Sequence, residues 1–170
     1  MFYGIAVFPS QEIAEVAAPL RKRYDPRDFL IRPHLTVYEK QEWTHEQLND
    51  AVAVLHSIAG AWQPFQLHFN RFSSFYPASN VIYMALSDPE PLRRLHEAIS
   101  QGLPRPVPEK PYLYTPHLTV AQELGDDELH DVLSSLKNRT LDLQCTIDRF
   151  ALLRQEQNGV WKTVSEFVLS

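Results

Sequence analysis

The chain contains the same five residues twice, Pro33-His34-Leu35-Thr36-Val37 and Pro116-His117-Leu118-Thr119-Val120, nearly half its length apart. Each copy places an imidazole two positions before a hydroxyl. Residues i and i+2 of a β-strand point to the same face, so the histidine and threonine of each copy share one face. The leucine and valine share the other. The repeat therefore predicts two equivalent strands, each with an apolar side under helices and a polar pair facing outward.

Around the two copies the order of predicted elements also repeats. The pattern of apolar residues, turn residues and helix caps predicts strands at 2–8, 33–38, 65–75, 81–87, 116–122, 141–155 and 160–169 and helices at 11–22, 44–58, 91–101 and 126–137. We expect one α+β domain over 1–170, with an approximate repeat of 1–87 and 88–170 and interleaved lobes. Two antiparallel-rich sheets would face a central cleft with helices on their outer faces, related by a pseudo-two-fold axis.

Composition excludes several classes of protein. The 170 residues are 44% hydrophobic and 22% charged, which is typical of a globular domain, and the net charge of −5 disfavours binding of long nucleic acids. No apolar run is long enough for a membrane helix, and the apolar start lacks the basic region of a signal peptide, so we interpret it as a first strand. The single cysteine, Cys145, is expected in the core, and the absence of disulfides fits a reducing cytoplasm.

The five glycines are scattered, at positions 4, 60, 102, 125 and 159. They cannot form a P-loop, a dinucleotide-binding fingerprint or a nucleophile elbow. If the protein binds a phosphate, side chains must do most of the holding, which again points to the two threonines.

Two imidazoles across a cleft form a general acid/base couple at neutral pH. A phosphodiester suits such a couple, because it needs a nucleophile on one side and a leaving group on the other. The hydroxyls of Thr36 and Thr119 can donate to the non-bridging oxygens. His34 and His117 with these threonines make a poor zinc site, since only two nitrogen ligands are in view. We therefore expect neither a metal nor another cofactor.

These residues resemble the 2H phosphoesterase superfamily (LigT and 2′-5′ RNA ligase-like proteins), which is defined by two His-x-Thr/Ser-x motifs. Beyond the motifs, residues 3–10 (YGIAVFPS), 21–26 (RKRYDP), 73–75 (SSF) and 80–83 (NVIY) look like its bacterial YjcG-like branch. The resemblance covers essentially the whole chain. It implies a bilobal fold and a metal-free phosphodiesterase site.

The function that the resemblance implies is hydrolysis of a 2′,3′-cyclic or related cyclic nucleotide phosphate. By similarity His34 would be the proton donor and His117 the proton acceptor, with Thr36 and Thr119 binding phosphate. Two alternatives stay open: a 2′-5′ phosphodiesterase or ligase acting on RNA 3′ ends, and a module that binds nucleotide phosphates without turnover. The expected partner is a small cyclic nucleotide or an RNA 3′ end, in the cytoplasm and not at a membrane.

Further candidates have weaker support. Tyr114 and Tyr3 are candidate substrate-binding residues, because a nucleobase needs an aromatic surface. Tyr112 and Phe75 are lower-ranked candidates for the same role. Lys110 and Arg32 could touch phosphate. The basic cluster Arg21, Lys22, Arg23, Arg27 and Arg32 is either a solvated helix end or an anion-steering rim. The remaining five histidines, His45, His56, His68, His96 and His130, are expected at the surface.

Overall fold

Two four-stranded antiparallel sheets form the frame of the protein, in a computed structural model that describes residues 1–104 and 113–170. The first sheet has the order β2-β1-β7-β8 and the second the order β5-β4-β3-β6. The strands are β1 (Phe2–Val7), β2 (Leu35–Glu42), β3 (Phe65–Ser74), β4 (Ile82–Leu86), β5 (Leu118–Ala121), β6 (Leu143–Ile147), β7 (Arg149–Gln155) and β8 (Trp161–Val168).

Four α-helices connect these strands: α1 (Gln11–Tyr24), α2 (His45–Gly60), α3 (Glu90–Gly102) and α4 (Asp126–Lys137). The predicted caps of α1 and α2 are confirmed. Ser10 Oγ accepts a hydrogen bond from the Ile13 N–H, and Thr44 forms a capping box with Gln47. Within the described ranges, no helix combines the length and the apolar character needed to cross a bilayer.

The strand orders reveal a structural repeat. In each sheet a motif strand lies at one edge, β2 or β5, and pairs with the central strand β1 or β4. The second unit, β4-α3-β5-α4, therefore matches the first, β1-α1-β2-α2, and it starts at Ile82. The predicted division at residue 87 leaves β4 in the first half. The two halves interleave, because β7 and β8 join the sheet of β1 and β2.

The first helix of each unit crosses to the other sheet. Helix α1 packs against β5 and β6 of the second sheet, whereas α3 packs against β2 of the first. The apolar faces of the motif strands are fully buried, with Leu35 and Val37 on β2 and Leu118 and Val120 on β5. Because each crossing helix covers the partner unit's motif strand, the buried side chains of both sheets form one large core.

Three predicted strands have wrong boundaries. The predicted strand 141–155 is two strands separated by Asp148: β6 pairs with β3, and β7 pairs with β1 in the other sheet. The motif strands begin at Leu35 and Leu118, so each histidine lies immediately before its strand, after a proline that has no N–H to donate. The predicted hairpin at 158–159 and the burial of Cys145 are confirmed, and Gly159 adopts a φ of +87° in that turn.

Candidate active site

The two motifs meet at one cleft. Thr36 of β2 lies opposite Ala6 of β1, and Thr119 of β5 lies opposite Tyr83 of β4. Strands β2 and β5 contact each other, with Cα atoms within 8 Å. The imidazoles are close enough that the charge of a protonated His117 lowers the pKa of His34. The structure therefore brings together the four residues on which the sequence analysis depends.

Backbone carbonyls orient both imidazoles in the same way. His34 Nδ1 lies 3.0 Å from the Arg32 carbonyl oxygen, and His117 Nδ1 lies 2.8 Å from the Thr115 carbonyl oxygen. A carbonyl only accepts, so in each ring Nδ1 carries the hydrogen and donates it. Nε2 of each ring is then left to accept a proton when neutral, or to donate one when charged. Each carbonyl belongs to the residue two positions before the histidine, so the repeat in sequence is also a repeat in geometry.

The surroundings of His34 favour its neutral form. Its pKa is lowered to about 4, mainly by burial; the charges of Arg21 and His117 add to this effect, and the Arg32 carbonyl and Asp25 oppose it. At neutral pH the ring is therefore an uncharged imidazole in the unliganded protein.

The surroundings of His117 are aromatic. The Phe75 ring meets the imidazole edge-on at 4.9 Å between centroids, and the Tyr83 ring lies 5.6 Å away. Burial lowers the pKa of His117, while its bond to the Thr115 carbonyl and the charge of Glu39 act in the opposite direction. Phe75, a weaker candidate for base stacking, thus packs against the second histidine and against Tyr83.

A buried ionic network lies behind the first motif. Arg21 and Asp25 are 3% and 6% exposed, and Arg21 Nη2 donates to the Ile31 carbonyl oxygen at 2.5 Å. The Asp25 carboxylate accepts from the Gln122 side chain, which follows β5, at 2.8 Å. The network joins the approach to the first motif with the exit from the second. Arg21 is therefore an internal residue, and the predicted anion-steering rim does not include it.

Sequence analysis missed an apolar pocket beside His34 and Thr36. Ala6 and Leu153 form its floor on the cleft face of the first sheet, and Ile31 and Trp161 lie beside them. This apolar pocket, which Gly4, Glu39 and Lys40 also line, has a volume of about 130 Å³. That is well above the space that a single water molecule needs, so a ligand group can enter.

Trp161 gives this pocket an aromatic wall. A Cβ built on Gly4 would lie 3.6 Å from the indole ring, which is van der Waals distance, so the ring lies directly over the backbone of β1 at Gly4. Only the pairing of β7 with β8 and of β7 with β1 brings Trp161 to this place. No local sequence pattern predicts this position of Trp161.

The two tyrosine candidates have different positions. Tyr3 is 6% exposed and its ring stacks on Trp43 at 5.5 Å, so it lies in the core behind the sheet and not in the cleft. The reason is strand alternation, since Gly4 and Ala6 occupy the cleft face of β1. Tyr114 does reach the first motif, where its hydroxyl donates to the Thr36 carbonyl oxygen at 2.7 Å. The candidates Tyr112 and Lys110 lie outside the described residues.

Three of the other five histidines, His45, His56 and His130, are exposed as predicted. His96 and His68 are half-buried. His96 Nδ1 lies 2.6 Å from the Val37 carbonyl oxygen, and its ring stacks on Tyr114 at 3.9 Å. His68 bridges Asp142 and Ser87 along β3. Cross-strand and helix-to-strand contacts enclose these rings, and neither contact is visible in local sequence.

Sequence comparison supplies the family. The profile of the "2′-5′ RNA ligase superfamily" matches residues 9–159. The chain belongs to this family, the 2H phosphoesterase superfamily. A protein of Bacillus licheniformis named "Putative phosphoesterase" is 43% identical over 169 residues, covering 99% of both chains. A protein of the same name in Oceanobacillus iheyensis is 41% identical, covering 99% of this chain and 98% of its own.

Solved structures of this superfamily share the fold. The protein TT0787 of Thermus thermophilus superposes with a TM-score of 0.72 at 22% identity and covers 99% of this chain and 98% of its own. E. coli LigT in complex with 3′-AMP gives a TM-score of 0.72 at 15% identity, covering 99% and 97%. Together with the motifs, the 2H relatives make this chain a phosphoesterase-type enzyme of α+β fold.

No group of three or more histidine, cysteine, aspartate or glutamate side chains suited to a metal ion occurs in the parts of the chain that the structure describes. The donors in the cleft are two imidazoles and two hydroxyls. That set matches proton transfer and hydrogen bonding to an anion.

We expect the half-buried His34 to make stability depend on pH. Its pKa of about 4 in the folded protein lies below the ordinary value of 6.5, so acid favours the unfolded chain, which takes up the proton first. The contribution is complete above pH 6.5 and is lost as the pH falls towards 4. Between pH 7.5 and 5 the wild type should lose about 1–2 kcal/mol more free energy of unfolding than His34→Gln.

Urea unfolding at the two pH values measures this difference. His45→Gln, a change of an exposed histidine, should follow the wild type. Equal losses in the wild type and in His34→Gln would show that the ring is not enclosed as described.

Proposed function

We propose that this 2H phosphoesterase is a metal-independent phosphodiesterase that hydrolyses a 2′,3′-cyclic or related cyclic nucleotide phosphate by two-histidine acid/base catalysis. The observation that carries the proposal is the pair of imidazoles held at Nδ1 by backbone carbonyls, each followed two residues later by a threonine on the motif strand. We place the activity in the cytoplasm, where the lone thiol of Cys145 stays reduced.

In the proposed reaction a water molecule attacks the phosphorus atom on the side of His117. His117 Nε2 accepts the proton of that water as the new P–O bond forms. The P–O bond to one ribose oxygen breaks, and His34 Nε2 donates a proton to that oxygen. The ring opens to a phosphomonoester, and solvent exchange returns both histidines to their starting states.

The threonine hydroxyls hold the phosphate. Thr36 and Thr119 lie on the motif strands that contact each other across the cleft. Their hydroxyls would donate to the two non-bridging oxygens, on which negative charge gathers in the transition state. Two donors on opposite sheets also fix the phosphorus atom between the two Nε2 atoms.

The lowered pKa values have a consequence for binding. His34 must carry a proton to act as donor, yet its pKa is about 4 in the unliganded protein. A phosphate anion beside the ring favours the charged imidazole, so its pKa rises when substrate binds. We therefore propose that substrate binding is coupled to uptake of one proton from solvent.

The apolar pocket supports a nucleoside as the group attached to the phosphate. Trp161 offers an indole face, and the floor of Ala6 and Leu153 leaves room for a flat ring above it. The E. coli LigT structures hold 3′-AMP, NADP⁺ or ATP, and all of these are nucleotides. The net charge of −5 also favours a small nucleotide over a long polynucleotide.

Replacing either histidine by alanine should lower turnover of 2′,3′-cyclic nucleotides by roughly 10²–10⁴, the usual contribution of one acid/base group. Thr36→Ala and Thr119→Ala should lose a comparable or smaller factor. All assays contain EDTA, which should leave the wild-type rate unchanged. His45→Ala is the matched control, because that imidazole is exposed at the start of α2.

Loss of wild-type turnover in EDTA would contradict the metal-independent mechanism. Tight nucleotide binding by calorimetry, with no product formed by the folded wild type, would select the binding-module alternative.

The pH dependence of turnover tests the proton uptake. Because kcat/KM reports the unliganded protein, in which the pKa of both histidines is lowered, its bell-shaped profile should have both limbs below pH 6.5. The kcat profile reports the complex, and its alkaline limb should lie at higher pH. Rates at saturating and limiting substrate between pH 4 and 9 measure both. A kcat/KM profile centred above pH 7 would contradict the enclosed, neutral histidines.

A change of leaving group tests which histidine is the proton donor and which is the acceptor. A 2′-deoxynucleoside 3′-(p-nitrophenyl) phosphate releases a phenolate that needs no proton from the enzyme. His34→Ala should therefore lose at least tenfold less activity on this ester than on a cyclic nucleotide. His117→Ala should lose similar factors on both substrates. The opposite pattern would exchange the donor and acceptor roles.

A further inference from the structure

A second pocket lies on the cleft face of the first sheet, on the other side of His34. We call it the arginine pocket. It is lined by Phe8, Arg32, Asp148, Arg149, Ala151 and Glu166, with a few neighbouring residues of β6 and the start of α1. The proposed mechanism does not use it.

The arginine pocket adjoins the apolar pocket, although no residue lines both. Ala151 on its wall lies directly opposite Ala6 on the floor of the apolar pocket. The Phe8 ring, also on its wall, lies 6.4 Å from the His34 ring, which lines the apolar pocket. A ligand that spans the two pockets would therefore pass the catalytic centre.

The two arginines of the arginine pocket differ in their partners. Arg149 is already paired, with Asp148 at 3.0 Å and Glu166 at 2.9 Å. Arg32 has no carboxylate within 4.0 Å among the residues that the structure describes, and its side chain is exposed. Its guanidinium lies 3.7 Å above the centre of the Phe8 ring. One cation is therefore held in place at the pocket, while its donors remain available to an anion.

A guanidinium held in this way is suited to a phosphate. The planar group stacks on an aromatic face and presents its N–H donors at the edge, where they can bond two phosphate oxygens at once. Packing on Phe8 reduces the freedom that Arg32 would lose on binding a ligand. A neutral ligand group would leave this charge without a partner.

We infer that the arginine pocket binds a second phosphate group of the substrate, in addition to the one that reacts. This inference rests on the proposed function and narrows its substrate class to cyclic nucleotides that carry a further phosphate. Two sources share that chemistry: the phosphodiester that links the terminal nucleotide to an RNA chain, and a free 5′-phosphate on a mononucleotide.

The experiment compares three substrates with the full-length protein: adenosine 2′,3′-cyclic phosphate, the same nucleotide with a 5′-phosphate, and a dinucleotide that ends in a 2′,3′-cyclic phosphate. The readout is the ratio of kcat/KM for each phosphate-bearing substrate to that for the bare one. One charge-assisted contact should make this ratio roughly 10–100 for at least one of them. Whichever substrate has the higher ratio identifies the source of the phosphate.

Arg32→Ala should bring the ratio close to one, and Arg32→Lys should restore part of it, because an ammonium keeps the charge but not the paired donors. Arg23→Ala is the matched control, since Arg23 is also an exposed arginine over an aromatic ring, that of Tyr24, at 5.2 Å. It does not line the arginine pocket and should keep the wild-type ratio.

A wild-type ratio near one, or a high ratio that survives in Arg32→Ala, would overturn the inference. Failure of the proposed function gives a different result, because the folded wild type would then turn over none of the three substrates. Calorimetry with the same nucleotides still tests the pocket in that case. Wild type should bind the phosphate-bearing nucleotides more tightly than the bare one, and equal affinities would overturn the inference.

Discussion

Burial of one face of each motif strand is the constraint from which the site follows. Leu35 and Val37 of β2, and Leu118 and Val120 of β5, are completely enclosed, with α3 against β2 and α1 against β5. Because successive side chains of a strand point to opposite faces, the threonines point into the cleft. Because α1 and α3 each cross to the other unit's sheet, the same packing that orients each motif also holds the two sheets together. The geometry of the site therefore depends on the core and not on contacts within the cleft.

The pseudo-two-fold symmetry of the backbone is broken by the side chains that line the cleft. Thr36 lies opposite Ala6, whereas Thr119 lies opposite the large ring of Tyr83. Small residues on the first sheet leave open space beside His34, and rings fill the corresponding space beside His117. Two equivalent motifs thus form a site with a preferred side for the bulk of a substrate. The symmetric backbone places the two His–Thr motifs in equivalent positions, and the side chains around them make the two sides of the cleft different.

The electrostatics of the cleft are arranged around neutral imidazoles. Burial lowers the pKa of both rings, and the buried Arg21 adds to this effect at His34. The Arg21–Asp25 pair also fixes the chain between α1 and β2 and, through Gln122, the end of β5. Replacing one partner of such a pair would leave a buried charge uncompensated, with cost to stability as well as to the alignment of the motifs. In the proposed mechanism an anion must bind beside His34, so that its imidazole can carry the proton that it donates. The phosphate of the substrate would be that anion.

The sequence by itself determined the four central residues, the face on which each lies, most helices and strands, two helix caps and the hairpin at 158–159. These features follow from local rules: alternation along a strand, capping hydrogen bonds within a turn, and the φ that glycine allows. Tertiary structure alone decided that α1 and α3 exchange sheets, that the chain changes sheet at Asp148, that Tyr3 and Arg21 are internal, and that Trp161 borders the site. Each of these depends on which distant strand or helix a segment packs against. That choice is set by the burial of apolar surface summed over the whole chain, and no local pattern records it.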